Sequence, residues 1–321
     1  MRALKWTLAV LGALGALVVG AGLYFYFSAP ERAVRAAIAY ERGLAGLALK
    51  SADLPGGLHF AYLEGGEGEP LVLLHGFGAN KDHFVRVARQ LTPRFRLILP
   101  DQLGFGESAK PPQADYAPKA QAERLRRLLR HLGLTSVHLG GSSMGGQIAL
   151  TYAALYPKEV ASLWLLNPAG VWSAPPSEVA QRIARGGENP MLVQDEDDFA
   201  RLVELVMAKP PAIPRLFLDV WAQDRIRNYP LEERIFKQIA ADSVEARVRG
   251  LDVPALVVWG QQDRVLHPGS AGILQMLLVR SEVAMMRNVG HVPAVEAPEE
   301  SAAEYLRFRA RLAASTSPRS P

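Results

Sequence analysis

The sequence predicts an α/β protein: a mostly parallel sheet with helices on both faces, interrupted by a helical cap and preceded by an apolar helix. Three observations predict it. From residue 47 onward, short continuous apolar runs alternate with amphipathic stretches, the pattern of strands covered on both sides. The alternation stops near residue 170 and resumes near 249, with a Pro-bearing interval of short helical patterns between. A long uncharged run precedes everything else.

Composition sets the outer limits. The chain has 321 residues, 49% hydrophobic and 21% charged, which is globular rather than disordered or low-complexity. It has no cysteine, which excludes a disulfide framework, a Cys-ligated metal site and a thiol nucleophile. Net charge is +4, and residues 1–50 carry that excess: Arg2, Lys5, Arg32, Arg35, Arg42 and Lys50 against Glu31 and Glu41. The balanced remainder offers no footprint for nucleic acid, so none is expected as a partner.

The elements follow in order. After a basic N-terminus (1–5), residues 6–27 are apolar apart from Thr7. At 1.5 Å per residue this stretch makes about 33 Å of helix, enough for a hydrocarbon core of roughly 30 Å. It ends in Tyr24, Phe25, Tyr26 and Phe27, aromatics suited to the membrane–water interface. We read it as a transmembrane helix; the alternative is a signal peptide cut near Gly20-Ala21-Gly22. Basic residues flank both ends, so charge does not set its orientation. Gly12, Ala16 and Gly20 share a helix face that permits close pairing, and with it a homodimer through this and the next helix; the alternative is a plain Gly/Ala-rich anchor. Residues 28–46 read as a juxtamembrane helix with Ser28-Ala29-Pro30-Glu31 as its capping box. Val34, Ala37, Ile38 and Leu44 would rest on lipid and Arg32, Arg35 and Arg42 on headgroups, unless the segment is a simple linker.

The α/β body occupies 47–170 and 249–313. Strands are expected at Leu47–Ala52, Leu58–Leu63, Leu71–Leu74, Arg96–Leu99, Val137–Leu139, Val160–Leu166, Ala255–Trp259 and Glu282–Met286. Helices are expected at Lys81–Leu91, Ala117–Leu132, Met144–Leu155, Ser270–Leu278 and Glu299–Ala313. Residues 171–248 form the cap, and 314–321 a disordered tail.

Gly141-Ser142-Ser143-Met144-Gly145 lies between a strand and a helix, where a sharp turn lifts Ser143 clear at a helix N-terminus. A serine hydroxyl needs a base. Of seven histidines, His291 follows the last strand, which puts it at the same sheet edge as Ser143. His75 reads as a buried loop histidine, His138 as a strand residue, His131 as a surface one and His267 as a loop one. The imidazole needs a carboxylate, and Asp263 follows a strand and gives the chain order Ser…Asp…His. Asp101 precedes the serine, and Glu296 is better placed to support the His291 loop. The backbone N–H groups of Phe77 and Met144 are the expected donors to a developing oxyanion.

These residues, with His75-Gly76-Phe77-Gly78 and Asp101-Gln102-Leu103-Gly104-Phe105-Gly106-Glu107-Ser108, resemble the α/β-hydrolase superfamily over about residues 50–313. Gly141–Gln147, Leu166-Asn167-Pro168-Ala169-Gly170 and the N-terminal helix resemble two groups within it. One is the membrane-anchored monoacylglycerol lipases of the α/β-hydrolase-domain family. The other is the inner-membrane phospholipase A1 enzymes of bacteria (PlaF type). The resemblance implies the α/β-hydrolase fold, lipid esters as substrate, no cofactor, and a single-pass protein of the bacterial inner membrane with its catalytic body in the periplasm.

Trp172, Phe199, Met207, Phe217, Trp221, Tyr229 and Phe236 in the cap are the candidates for lining an acyl pocket, against the alternative of ordinary cap core. Asp195-Glu196-Asp197-Asp198 is a solvated helix start, and no metal site is expected. Two other functions fit the same frame: a hydrolase of carbon–carbon bonds in ring-fission products, and a non-catalytic membrane receptor or scaffold. Epoxide hydrolases and haloalkane dehalogenases use Asp where Ser143 stands.

Overall fold

The computed structural model describes residues 28–316 continuously and, ahead of them, residues 6, 7, 11–13, 15–17, 19, 20, 22 and 24. The predicted basic N-terminus and much of the predicted span 6–27 lie outside the described residues. Among the described residues, no helix is long and apolar enough to cross a membrane.

Eight strands form one sheet: β1 (Leu47–Leu54), β2 (Leu58–Gly65), β3 (Glu69–Leu74), β4 (Phe95–Pro100), β5 (Val137–Ser142), β6 (Val160–Leu166), β7 (Ala255–Gly260) and β8 (Ser281–Met286). The order is β1-β2-β4-β3-β5-β6-β7-β8. β1 and β2 pair antiparallel, as do β2 and β4, and every later pairing is parallel. Residues alternate between two cores, as the strand period of two requires. Val72, Leu74, Leu163, Leu165, Val257 and Trp259 enter one. Leu71, Leu73, Trp164, Leu166, Leu256 and Val258 enter the other.

Helix α1 spans Pro30–Leu44, α2 Val85–Leu91 after a 3-10 turn at Lys81–Phe84, α3 Pro118–His131, and α4 Met144–Leu155. Between β6 and β7 come five helices: α5 (Glu178–Ala184), α6 (Glu196–Val206), α7 (Arg215–Arg227), α8 (Tyr229–Ala240) and α9 (Glu245–Val248). α10 (Ser270–Leu277), α11 (Pro293–Glu296) and α12 (Pro298–Thr316) complete the chain. α3 and α4 cover the first core, while α2 and α12 cover the second, where Trp164 stacks on Tyr305 at 4.5 Å.

Three expectations are corrected. The capping box at Ser28 is absent: Ala29 is the N-cap of α1 and Ser28 sits one residue too early to reach the free N–H groups, although Pro30 does open the helix. Val34 is buried in the protein rather than turned to lipid, and Ala37 and Ile38 are half-buried, because α1 packs against β1, α2 and α7. Arg42 is likewise committed to the body, pairing with Asp82 at 2.6 and 2.7 Å. The last helix runs farther than expected: α12 continues through Thr316, and residues 317–321 of the predicted tail lie outside the described residues.

Candidate active site

The turn from β5 into α4 gives Ser143 φ 53° and ψ −118°, a conformation L side chains rarely adopt. Neighbouring backbones enforce it. A β-carbon at Gly141 would overlap the carbonyl of Gly145, one at Gly145 the carbonyl of Leu74, and one at Gly146 would lie 2.6 Å from the Pro168 β-carbon. Only glycine allows such approaches, so the motif's small residues are a packing requirement. The backbone of Ser143 is held by bonds to Leu166, Gln147 and Ala169, each 3.0 Å. Ser143 thus becomes the N-cap of α4, with Met144 first in the helix, where N–H groups lack intrahelical acceptors.

Asp263 follows β7 and His291 follows β8, so parallel neighbours bring both to the sheet edge that carries Ser143. His291 Nδ1 lies 2.9 Å from Asp263 Oδ2, both side chains buried. The carboxylate also receives Asn167 Nδ2 (2.6 Å) and Trp259 Nε1 (3.1 Å) on Oδ2, and the backbone N–H groups of Val265 (2.8 Å) and Leu266 (3.0 Å) on Oδ1. With Nδ1 donating to the carboxylate, His291 Nε2 is left as acceptor; it is buried and bonded to nothing among the described residues.

The loop after β3 passes over the same place. A β-carbon at Gly76 would stand 3.4 Å from that of Ser143. Phe77 packs edge-on against Phe105 and Phe236, with the Arg225 guanidinium above its ring. His75 is the buried loop residue expected: Nδ1 bonds the Gly76 carbonyl and Nε2 accepts from Gln102 N–H, which fixes its tautomer. Burial lowers its pKa, so it stays neutral. Glu296 supports the histidine loop as expected, accepting from Gly290, Val292 and, in the cap connection, Ala208.

A solvent-open pocket of about 180 Å³ joins these groups. Ser143, His291, Phe77 and, from the cap, Phe199, Met207 and Trp221 line it. The other cap candidates do not. Trp172 is partly exposed, its indole N–H donating to the Asp242 carbonyl. Phe217 packs edge-on against Trp221, Phe236 packs against Phe77, and Tyr229 is the first residue of α8; none of the three is part of the lining. Sequence reasoning missed Met191, Leu202, Val206 and Ile213, and two polar neighbours. Arg225 is buried and paired with Glu232 at 2.6 Å. His83 has a buried, unbonded Nε2, and burial pushes its pKa down to about 3. Which apolar residues of the cap reach the serine depends on how its five helices pack, and the sequence does not carry that information locally. The acidic run behaves as expected, with Asp195 capping α6 through Asp198 N–H at 2.7 Å. Among the described residues, no cluster of His, Asp or Glu could hold a metal.

Comparison with known proteins gives three relevant findings. The profile of the alpha/beta hydrolase fold matches residues 69–298. Lipase 1 of Psychrobacter immobilis is 46% identical over 285 residues, 86% of this chain and 89% of the lipase, and human monoacylglycerol lipase ABHD6 is 27% identical over 254 residues, 75% of each. A crystal structure of a membrane phospholipase A superimposes with a TM-score of 0.86 at 39% identity, covering 95% of this chain and 98% of that one.

Proposed function

This chain belongs to the alpha/beta hydrolase fold family, and from that premise we propose that it is a membrane-anchored carboxylic-ester hydrolase of lipids: lysophospholipids, phospholipids or monoacylglycerols. The observation that carries this reading is the meeting, at one apolar pocket, of a serine on a strained turn and a histidine bonded to a buried carboxylate.

Ser143 Oγ attacks the ester carbonyl while His291 Nε2 takes its proton. Asp263 holds His291 with Nδ1 protonated and stabilises the imidazolium. The negative charge that develops on the carbonyl oxygen meets the N–H groups of Phe77 and Met144, each such donor worth about 3–4 kcal/mol. His291 returns the proton to the leaving alcohol, and the acyl group stays on Ser143. Water then attacks with His291 as base, releasing the fatty acid. The cap lining from Phe199, Met207 and Trp221 takes the acyl chain.

Residues 6–27 anchor the protein in the cytoplasmic membrane, with the body on the periplasmic side, and Gly12, Ala16 and Gly20 allow two anchors to pair. The docking of α1 against α7, which contributes Trp221 and Arg225 to the pocket, supports a mouth held near the bilayer. There the local concentration of lipid is high.

Purified full-length protein should be offered p-nitrophenyl esters, monoacylglycerol, lysophospholipid and a ring-fission dienoate. Turnover of esters, lost in Ser143→Ala together with fluorophosphonate labelling, is the expected result. Turnover of the dienoate alone, or no turnover by folded protein, would overturn the reading. Cell fractionation tests the anchor, which predicts a full-length band in the membrane fraction; a shortened soluble band would mean cleavage. Crosslinking in membranes tests the pairing.

A further inference from the structure

The turn leaving β6 touches the serine turn, the Asp263 loop and the His291 loop. The Leu166 carbonyl accepts from Ser143 N–H, and Ala169 N–H donates to the Ser143 carbonyl, each at 3.0 Å. Between them, Asn167 is fully buried and stands at φ 45°, in the left-handed region that asparagine tolerates better than most residues. Its Nδ2 donates to Asp263 Oδ2 at 2.6 Å and to the Gly290 carbonyl at 3.3 Å, and its Oδ1 accepts from Gly260 N–H at 3.3 Å. Its backbone N–H donates to the Val258 carbonyl at 2.9 Å. The amide orientation is settled by these partners, because reversing it would set two oxygens face to face.

We propose that Asn167 is a positioning residue that registers the serine turn, the Asp263 loop and the His291 loop against one another. This rests on the hydrolase reading of the same site. Asp263 Oδ1 is fixed by two backbone N–H groups, but Oδ2 faces His291, and the Asn167 bond is the shortest it receives. Without it Oδ2 keeps the longer Trp259 bond at 3.1 Å and loses the shortest of the contacts that aim it at Nδ1. His291 is the titratable group bonded to Asp263. The neighbouring charges are turned elsewhere: Arg264 to Glu178, and Glu296 to backbone N–H groups. His83 faces His291 from the 3-10 turn and stays neutral.

Two variants of the full-length enzyme in detergent test this, with a p-nitrophenyl ester. Asn167→Ala should lower kcat by roughly ten- to a hundredfold, the equivalent of one hydrogen bond to a buried charge, with KM within about twofold of wild type. Asn167→Asp is the sharper probe. Two carboxylates at this separation resist ionising together, so below the second ionisation they share one proton, and the shared proton restores the lost bond. N167D should therefore work near pH 6 and lose activity through a new alkaline limb that wild type and N167A lack. A third readout is independent of turnover: the low-field proton resonance between His291 and Asp263 should move in N167A. If wild type turns over no ester yet N167A moves that resonance, the hydrolase reading falls and this one stands. Kinetics and pH profiles of unchanged shape with only a lower melting temperature would overturn the proposal. So would failure of N167D to fold near pH 6.

Discussion

Replacing Ser143 by glycine and by alanine separates strain from chemistry. Both substitutions remove the hydroxyl, and both variants should be inactive. They differ in the β-carbon, and at φ 53° and ψ −118° that atom is what the backbone disfavours. A non-glycine residue held in so sparsely populated a region costs about 1–3 kcal/mol. Against this, glycine loses about 0.5–1 kcal/mol more conformational freedom on folding than alanine does. The net expectation is that Ser143→Gly is more stable than Ser143→Ala by about 1 kcal/mol, the middle of a span of about 0–2.5 kcal/mol. At an ordinary backbone position the order would be reversed, so the sign alone is diagnostic. Urea denaturation in detergent measures it, using the buried Trp164 and Trp259 as fluorescent reporters; the midpoint should move without a change in slope. If the alanine variant is as stable as the glycine variant or more so, the turn stores no strain, and the account of how the flanking glycines and the Leu166–Ala169 turn hold the serine is wrong.

Asp263→Asn should leave the fold intact and reduce kcat by about 10⁴, since the amide presents a donor where the histidine needs an acceptor; steady-state kinetics with thermal denaturation checks both halves. Gly78→Ala should lower both stability and kcat. Gly78 lies at φ 67°, and a β-carbon there would overlap the Arg225 guanidinium, which Glu232 and the Met191 carbonyl hold in place; Arg225→Lys in the same background should recover part of the loss in both assays. His83 gives a pH dependence. Its imidazole titrates at 6.5 when free and at about 3 when buried, so the unfolded chain binds the extra proton first. Its contribution to stability is complete above about pH 6.5 and is lost as pH falls from there toward 3, with a slope of about 1.4 kcal/mol per pH unit. Urea titrations across that window should show a shallower decline for His83→Phe than for wild type; equal slopes would mean His83 is accessible to protons in the folded state.

Much of the fold was legible because it is local. Every expected strand and helix of the body appears, with ends shifted by a few residues. Strand ends moved most where pairing continued past the apolar run: β5 reaches Ser142, because Gly140 and Gly141 bond to their neighbours whatever their side chains. Ser28 shows the opposite case. Its sequence context matches a cap, but helix α1 starts one residue later than the pattern requires, and a one-residue shift takes the hydroxyl out of reach.

The sequence by itself determined which residues come together at the candidate site. Glycine spacing around Ser143 demands a tight strand-to-helix turn, and the order of strands puts Ser143, Asp263 and His291 at one sheet edge, since parallel strands all end on the same side. Only the tertiary structure decided what surrounds them. Trp172 and Trp221 look equally suited to a pocket in the sequence, yet one bonds the Asp242 carbonyl near the surface and the other lines the pocket that Ser143 also lines. Asn167 stands in a motif shared with lipases, but neither that motif nor any periodicity tells what it, Arg225 or His83 touches, because their partners lie far along the chain: Asp263 for Asn167, Phe77 for Arg225 and His291 for His83. Hydrophobic spacing reports which face of an element is buried, but the identity of the atoms it meets is set by how separate elements pack, and that information is not local.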